Sequence, residues 1–358
     1  MQTLHSNNTS LNKKQRIDNL DLYRAVAILV VIYHHISQML LPNYFNDGYL
    51  YDLGRFGVEM FFILSGFLIS GLFYNAKDFK HQNMFLFWVK RFLRTYPPYI
   101  IMLMISFLTV KMIRKDTHFD FGYLFFMQNF YYLIPFFTIS WSLCIEEHYY
   151  LLFSFIHHFI KKISFNKHTY LVGLILFAII PTFLRSIMGD ATSQNFGYFK
   201  TATIFRFDSL VCGCIISFII NFYKPKLKIT KLHVLLISIL SILSAYYSIK
   251  VGNGYIYSYR YLVVVLLLSF LLFLIYYAPS FRLSKHWGIK LIAAMAYSLY
   301  LTHPTIINLF YYLLNHLHKG SPILITLICV LCIFLLGYTY YLLVEKKSIE
   351  LRDKIIHN

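Results

Sequence analysis

Residues 20–40 read LDLYRAVAILVVIYHHISQML, an apolar stretch that is long enough to cross a membrane as one helix. About 20 predominantly apolar residues are needed to span a hydrocarbon core of roughly 30 Å. Comparable stretches recur along the chain, whose 358 residues are 58% hydrophobic and only 13% charged. Soluble domains carry about 25% charged residues. The sequence therefore predicts an all-α integral membrane protein, a bundle of about ten transmembrane helices.

The charges between the apolar stretches predict an orientation. Helices are predicted over residues 22–42, 55–74, 96–113, 143–160, 169–188, 203–223, 232–250, 259–278, 290–314 and 323–344. If the chain starts in the cytoplasm, the inside segments hold 22 Lys and Arg residues and the outside segments hold 8. Cytoplasmic loops are enriched in Lys and Arg, so both termini are expected there. The expected division is a cytoplasmic tail over 1–21, a transmembrane domain over 22–344 and a cytoplasmic tail over 345–358.

Composition also narrows the function classes. The net charge is +18, and the basic residues that produce it lie between the apolar stretches and not along one face. This distribution argues against a nucleic-acid partner and favours association with a lipid bilayer. The five cysteines lack the spacing of a metal site or a disulfide framework, so no metal is expected. The aromatic, Pro-interrupted stretch 114–142 is predicted to be interfacial or re-entrant on the outer face.

Helix 1 carries polar side chains that are costly in a bilayer. Arg24 and His35 are eleven residues apart, which places them on one helical face about 16 Å apart along the axis. Asp21 precedes Arg24 by one turn. A lone membrane histidine usually hydrogen-bonds a neighbouring helix, but the aligned arginine favours a functional role. Histidine suits a general base near neutral pH.

Further polar groups interrupt the other apolar stretches. Glu59 needs a cationic partner in the membrane, either Arg55 or an arginine elsewhere. Glu146 and Glu147 open helix 4, and we expect one of them to pair with an arginine such as Arg206 and the other to hold the catalytic histidine. Arg91 and Arg94 before Pro97 fit an ordinary positive-inside anchor as well as a phosphate clamp. The remaining polar candidates for substrate contact or structural support are Ser65, Trp141, Ser142, Asp208 and His303.

Six motifs in order resemble acyltransferase family 3, a family of membrane-bound bacterial acyltransferases. They are LDLYRA (20–25) with His35, FGVEMFFILSGFLI (56–69), RFLR (91–94), WSLCIEEHYYLL (141–152), RFDSL (206–210) with Gly213, and YSLYLTHP (297–304). Two departures are Leu-Tyr-Arg at 22–24, where Gly-Leu-Arg is usual, and Lys347 where the final motif often has proline.

The resemblance implies transfer of an acyl group, commonly acetyl, from cytoplasmic acyl-CoA to a hydroxyl of a carbohydrate at the outer side. Acceptors include surface polysaccharides and lipopolysaccharide O-antigen, and the location implied is the bacterial cytoplasmic (inner) membrane. The family's catalytic histidine corresponds to His35 and its partner to Arg24, while the acyl-donor motif corresponds to Arg91 and Arg94. Glu345 ends helix 10, where a snorkelling acid needs no special role.

The resulting hypothesis makes His35 a general base that is oriented by Glu146 or Glu147, with Arg206 or Ser142 near the developing oxyanion. A transporter or flippase of a glycan intermediate is the main alternative. It would explain the intramembrane charges, but the sequence lacks the repeated halves that are common in secondary transporters.

Overall fold

A computed structural model describes residues 2–41, 53–74, 84–130, 134, 136–160, 166–188, 201–250, 255–317 and 321–357. Side chains are described in the same ranges except for 2–17, 160, 255–258, 315–317 and 356–357. Regular structure in these ranges is helical throughout. The α-helices are α1 (Gln2–Leu40), α2 (Arg55–Tyr74), α3 (Met84–Ile113), α4 (Ser140–Ile160), α5 (Lys167–Met188), α6 (Asp208–Phe218), α7 (Lys231–Lys250), α8 (Tyr255–Tyr277), α9 (Trp287–Ala294), α10 (Ala296–Leu317), α11 (Pro322–Tyr340) and α12 (Lys346–His357).

Seven helical stretches among the described residues are long and apolar enough to cross a membrane. They are Asp18–Leu40, Arg55–Tyr74, Met84–Ile113, Lys167–Met188, Lys231–Lys250, Tyr259–Tyr277 and Pro322–Ile355. Three further helices that the sequence predicted are present as α4, α6 and α10, but they are not among these seven stretches. The α6 helix is short, and the α4 and α10 helices carry polar residues. The protein is thus an all-helical, multi-pass membrane protein, as predicted. The cytoplasmic placement of both termini and the division at residues 21 and 344 stay predictions.

Several helix boundaries differ from the prediction. α1 is helical from Gln2, and α3 begins at Met84, twelve residues before the predicted start. Arg91 and Arg94 therefore lie on α3 itself and not in a turn that leads into it. Pro97 and Pro98 lie inside α3, where neighbouring helices can satisfy the carbonyl groups that proline leaves without a donor. The hydroxyl of Tyr340 donates to the carbonyl of Pro98 itself, which ties the end of α11 to this part of α3.

The region predicted as helix 9 is divided at Met295, which separates α9 from α10. The α10 helix then continues through Pro304. Because of this division, α10 is a helix separate from α9. Tyr300 and His303 lie on the part of α10 that packs against α1.

The C-terminal region corrects another prediction. After α11 the helix continues through a π-helical turn, Tyr341–Glu345, into α12. Glu345 is only 1% exposed, and its Oε2 accepts hydrogen bonds from the backbone N–H and the hydroxyl of Ser298, at 3.2 and 2.5 Å. The expectation that Glu345 is a snorkelling acid at the boundary is wrong, because π-helical backbone turns it into the bundle.

The stretch 114–142 contains no long helix in its described part. Two 3₁₀ turns, Phe121–Phe125 and Gln128–Phe130, lie between α3 and α4. Tyr123 is fully buried and its hydroxyl binds the carbonyl of Phe136, while Gln128 donates to the Ser140 hydroxyl at 3.1 Å. Irregular backbone is tolerated at membrane depth where it packs on protein, which is the arrangement expected of a re-entrant segment.

The buried apolar side chains form two large clusters. One contains residues of α2, α4, α5, α6 and α8, and the other contains residues of α3, α10, α11 and the 119–139 region. Val58 and Phe61 on α2 pack against both clusters. The seam between the clusters is where the polar residues of helices α1, α2, α4 and α10 meet.

Candidate active site

A cavity of about 150 Å³ lies along this seam. We call it the arginine cavity, because Arg24, Arg91 and Arg94 line it together with Ser65, Ser142, Glu146, Glu147, Val58 and Tyr300. Three different stretches of chain, on α1, α3 and α4, contribute its charged groups. The family resemblance linked Arg24 to the catalytic histidine and Arg91 and Arg94 to the acyl donor, and the structure brings all three side chains to one cavity.

Arg91 is the most firmly held of these arginines. Its Nη2 donates to the Tyr150 hydroxyl at 2.5 Å and lies 3.9 Å from Glu146 Oε2. The guanidinium carbon also lies 4.1 Å from the centroid of the Tyr150 ring. The Tyr150 hydroxyl donates in turn to Glu146 Oε2 at 2.9 Å, and Ser65 donates to Oε1 at 2.9 Å. Glu146 thus fixes Arg91 at the wall of the cavity.

The other two arginines have fewer hydrogen-bond and ion-pair partners than Arg91 has in the described part of the chain. Among the described residues, the closest carboxylate to Arg24 is that of Asp21 on the same helix, at 4.0 Å. Arg94 forms no ion pair or hydrogen bond with the described residues. Glu147 accepts a hydrogen bond from Thr95 at 3.2 Å, which keeps that carboxylate on the α3 side. The cavity therefore offers guanidinium groups to an anionic ligand, and phosphate is a geometrically suitable one.

A second cavity of about 280 Å³ lies further along α1 and α2. We call it the histidine cavity, because His34 and His35 line it together with Glu59, Trp141, Arg206, Tyr261, Val58 and Tyr300. Along α1 the arginine cavity touches Arg24 and the histidine cavity touches Val31 to His35. Along α2 the order is reversed, from Gly54–Glu59 at the histidine cavity to Ile69 at the arginine cavity. The two cavities therefore follow one another along the helix axes.

The cavities share two lining residues, Val58 and Tyr300. The hydroxyl of Tyr300 lies 2.5 Å from the Ser142 hydroxyl, and the carbonyl oxygen of Ile139 lies within hydrogen-bond distance of both, so the two hydroxyl protons are shared among the three contacts. Tyr300 is thus fixed at the junction from the α4 side, while Val58 faces it from α2.

A buried ion pair forms one wall of the histidine cavity. Arg206 Nη2 binds Glu59 Oε1, and the hydroxyl of Ser209 binds Glu59 Oε2. The Arg206 guanidinium carbon lies 5.3 Å from the Trp141 ring centroid and 4.9 Å from that of Tyr261. Arg206 is therefore an arginine that pairs with Glu59.

His35 lies among other rings on the opposite wall. Its ring centroid is 4.9 Å from that of His34 and 5.2 Å from that of His303. Tyr300 lies 5.7 Å from His303 on the same helix. The expectation that Glu146 or Glu147 orients His35 is not met, because both carboxylates line the arginine cavity while His35 lines the histidine cavity. The expected pairing of either glutamate with Arg206 is also wrong, because Glu59 takes that arginine.

Asp208 lies outside the residues that line the two cavities. Its Oδ2 is 2.5 Å from Nη2 of Arg185, in the last turn of α5. The pair is buried, and the Arg185 guanidinium carbon is 4.8 Å from the Tyr261 ring centroid. Asp208 therefore supports the wall behind Tyr261 instead of facing a substrate.

Sequence reasoning missed two tyrosines of the site. Tyr150 follows Glu146 by four residues, and Tyr300 precedes His303 by three. These helical spacings put each tyrosine on the same face as a residue that had been singled out, so the i,i+3 and i,i+4 rule would have found both. The partners of Asp208 and Glu345 had no comparable local signal.

The free cysteines are Cys144, Cys212, Cys214, Cys329 and Cys332, of which only Cys332 is not fully buried. Among the described residues no cluster of three or more His, Cys, Asp or Glu side chains has the arrangement of a metal site.

Comparison with known proteins agrees with this arrangement. A protein of Staphylococcus aureus (strain COL) with the name Putative O-acetyltransferase is 26% identical over 334 residues, which is 84% of this chain and 52% of that protein. O-acetyltransferase OatA of S. aureus (strain NCTC 8325) is 26% identical over 322 residues, which is 81% of this chain and 50% of that protein. The chain thus spans about half the length of these relatives. No solved structure matches it.

Residues 17–342 match the acyltransferase family 3 domain, described as Acyltransferase domain. The match covers both cavities and every helix that lines them. This multi-pass helical membrane protein therefore belongs to acyltransferase family 3 and to the class of membrane O-acyltransferases.

Proposed function

We propose that the protein transfers an acetyl group from cytoplasmic acetyl-CoA to a hydroxyl of a cell-envelope carbohydrate on the opposite side of the bacterial cytoplasmic membrane. The observation that carries this proposal is the succession of two cavities that meet at Val58 and Tyr300, one with three arginines and the other with His35. Reaction at the junction would let a donor enter from one side and an acceptor from the other.

The arginine cavity suits the donor. Coenzyme A carries phosphates, and Arg94, which has no ion pair among the described residues, can bind one without losing an existing partner. Arg24 and Arg91 extend the positive surface around it. Because Arg24 and His35 are about 16 Å apart along α1, the extended arm of the donor must carry the thioester from the arginines towards His35.

The histidine cavity suits the acceptor. His35 accepts the proton of the acceptor hydroxyl while the hydroxyl oxygen forms a bond to the thioester carbonyl carbon. The carbon–sulfur bond breaks, and His35 returns the proton to the sulfur, so that the products are an acyl ester and a free thiol. An acyl group carried by His35 is the variant that the residues favour less. Surface polysaccharide and lipopolysaccharide O-antigen are the acceptor classes to test first.

The experiment uses purified protein in nanodiscs with radiolabelled acetyl-CoA and extracted cell-envelope glycan. Arg94→Ala should weaken donor binding by roughly tenfold or more, because a hydrogen bond to a charged group contributes about 1.5–3 kcal/mol. His35→Ala should bind donor normally but lose about 10²- to 10⁴-fold in transfer, the usual contribution of a general base. Lys226→Ala, an exposed lysine that lines neither cavity, is the matched control and should behave as wild type.

Retained transfer by His35→Ala would contradict the proposed chemistry. If well-folded wild-type protein bound no acyl-CoA, the proposal would fail as a whole. Translocation of a glycan-linked lipid would then be the activity to assay.

A further inference from the structure

A fully buried histidine stands directly behind His35. His303 on α10 is 0% exposed and does not line the histidine cavity, whereas His35 does. The two ring centroids are 5.2 Å apart and the ring planes are inclined by 42°. A substrate in the histidine cavity can therefore contact His35, while His303 lies behind His35, on the side away from the cavity.

The backbone determines which nitrogen of His303 carries a proton. Nδ1 lies 2.9 Å from the carbonyl oxygen of Leu299, and a carbonyl oxygen can only accept. Nδ1 is therefore the donor, and Nε2 of the neutral ring is an acceptor. Nε2 is buried and has no hydrogen-bond partner among the described residues.

Among the described residues, the ring of His35 is a donor candidate for Nε2 that packs directly against His303. Tyr300 lies one helical turn before His303, but its hydroxyl already hydrogen-bonds with Ser142 and the carbonyl of Ile139. The His35 ring packs against His303 with the centroids 5.2 Å apart, and because no direct hydrogen bond from the described residues reaches Nε2, one water can join it to an N–H of His35. A buried acceptor without a donor would be costly, which gives this contact a thermodynamic reason.

We propose that His303 is a positioning residue whose Nε2 is joined to one N–H of His35 by a hydrogen-bonded water. This contact selects the His35 tautomer whose other nitrogen is free to accept a proton from a hydroxyl in the cavity. The relay runs from the Leu299 carbonyl through His303 to His35, and it takes the place that a carboxylate holds in serine-hydrolase triads. The inference rests on the proposed role of His35 as general base.

Two substitutions separate positioning from packing. The amide nitrogen of asparagine can occupy the place of Nδ1, so His303→Asn keeps a donor for Leu299 but lacks the acceptor at Nε2. The amide oxygen of glutamine can reach the place of Nε2, so His303→Gln restores that acceptor. Thr326→Val is the control, because it removes another buried hydroxyl without a partner among the described residues, at a position outside both cavities.

We expect His303→Asn to lower kcat by about 10- to 100-fold, the usual loss when a hydrogen-bond partner that orients a functional histidine is removed. Its KM for acetyl-CoA should stay near that of wild type, because the arginine cavity is unchanged. His303→Gln should recover much of kcat, and Thr326→Val should match wild type. Equal kcat in the Asn variant and wild type, or equal losses in the Asn and Gln variants, would overturn the proposal.

A measurement that needs no activity distinguishes this inference from the proposed function. In protein labelled with ¹⁵N-histidine, the His35 resonances, assigned by their loss in His35→Ala, should report one neutral tautomer in wild type and a mixture in His303→Asn. A tautomer mixture in wild type would refute the positioning role even if acetyl transfer is confirmed. A single tautomer in wild type that becomes mixed in His303→Asn would support positioning even if the transfer assay fails.

Discussion

At the residue scale, the Glu59–Arg206 pair is a charged contact buried inside the helical bundle. The side chains are 1% and 8% exposed, and Ser209 satisfies the second oxygen of Glu59. Removing one member of such a pair leaves an uncompensated buried charge, which costs about 3–5 kcal/mol. The pair also fixes Arg206 between Trp141 and Tyr261, so it shapes the wall of the histidine cavity.

We therefore expect Glu59→Gln to lower the free energy of unfolding by about 3 kcal/mol or more. The double variant Glu59→Gln with Arg206→Met should be more stable than Glu59→Gln alone, because no unpaired charge remains. Thermal unfolding in one detergent measures both. Asp353→Asn breaks the exposed pair with Arg352 and should change stability by less than about 1 kcal/mol. If the changes in the free energy of unfolding caused by the two substitutions were additive, the ion pair would not contribute to stability as proposed.

At the element scale, the packing of α2 on α6 depends on two glycines. A Cβ at Gly66 would overlap the backbone oxygen of Leu210, and a Cβ at Gly213 would overlap the backbone oxygen of Ile63. Small residues at these positions let the two backbones approach, as in other membrane helix pairs. This contact holds Glu59 opposite Ser209, in the first turn of α6, and Arg206, which precedes α6 by two residues.

Gly66→Ala should destabilise the protein by about 1–3 kcal/mol, because a methyl group is forced into a well-packed contact. Gly213→Ala should do the same from the other side. Gly173 on α5 has nothing within 4 Å of an added Cβ, so Gly173→Ala should be neutral or stabilising by up to about 1 kcal/mol, the helix preference for alanine. Thermal unfolding of the three purified variants is the measurement. Equal effects at the three positions would contradict the packing role.

At the scale of the whole molecule, the two cavities form one path only if ligands can pass the junction of Val58 and Tyr300. Both residues line both cavities, and Tyr300 is held by Ser142. The side chain of residue 58 therefore controls the width of the path, as a small change in pocket size controls specificity in other enzymes.

Val58→Phe should lower acetyl transfer by roughly tenfold or more while donor binding at the arginines is kept, and Val58→Ala should raise the relative rate with longer acyl donors. Transfer and binding with acetyl- and butyryl-CoA measure both effects. Val263→Phe makes the same exchange at an exposed position of α8 and serves as the control. Unchanged transfer in Val58→Phe would mean that the acyl group does not pass this junction.

Much of the architecture followed from local properties of the sequence. Apolar runs of membrane-spanning length predicted a multi-pass helical protein, and helical spacing placed Arg24 and His35 on one face of α1. The six motifs indicated the family that the comparison then established. These inferences succeed because hydropathy and helical periodicity depend on residues that are close in the chain.

The partners of the buried charges were decided by the tertiary structure alone. Glu59 pairs with Arg206, Asp208 with Arg185 and Glu345 with Ser298, whereas the sequence had suggested other partners or none. Helical periodicity gives the direction of a side chain around its own helix but not which helix lies opposite. That neighbour is selected by packing between distant segments, such as the glycine contact of α2 with α6, and so is the position of His303 behind His35.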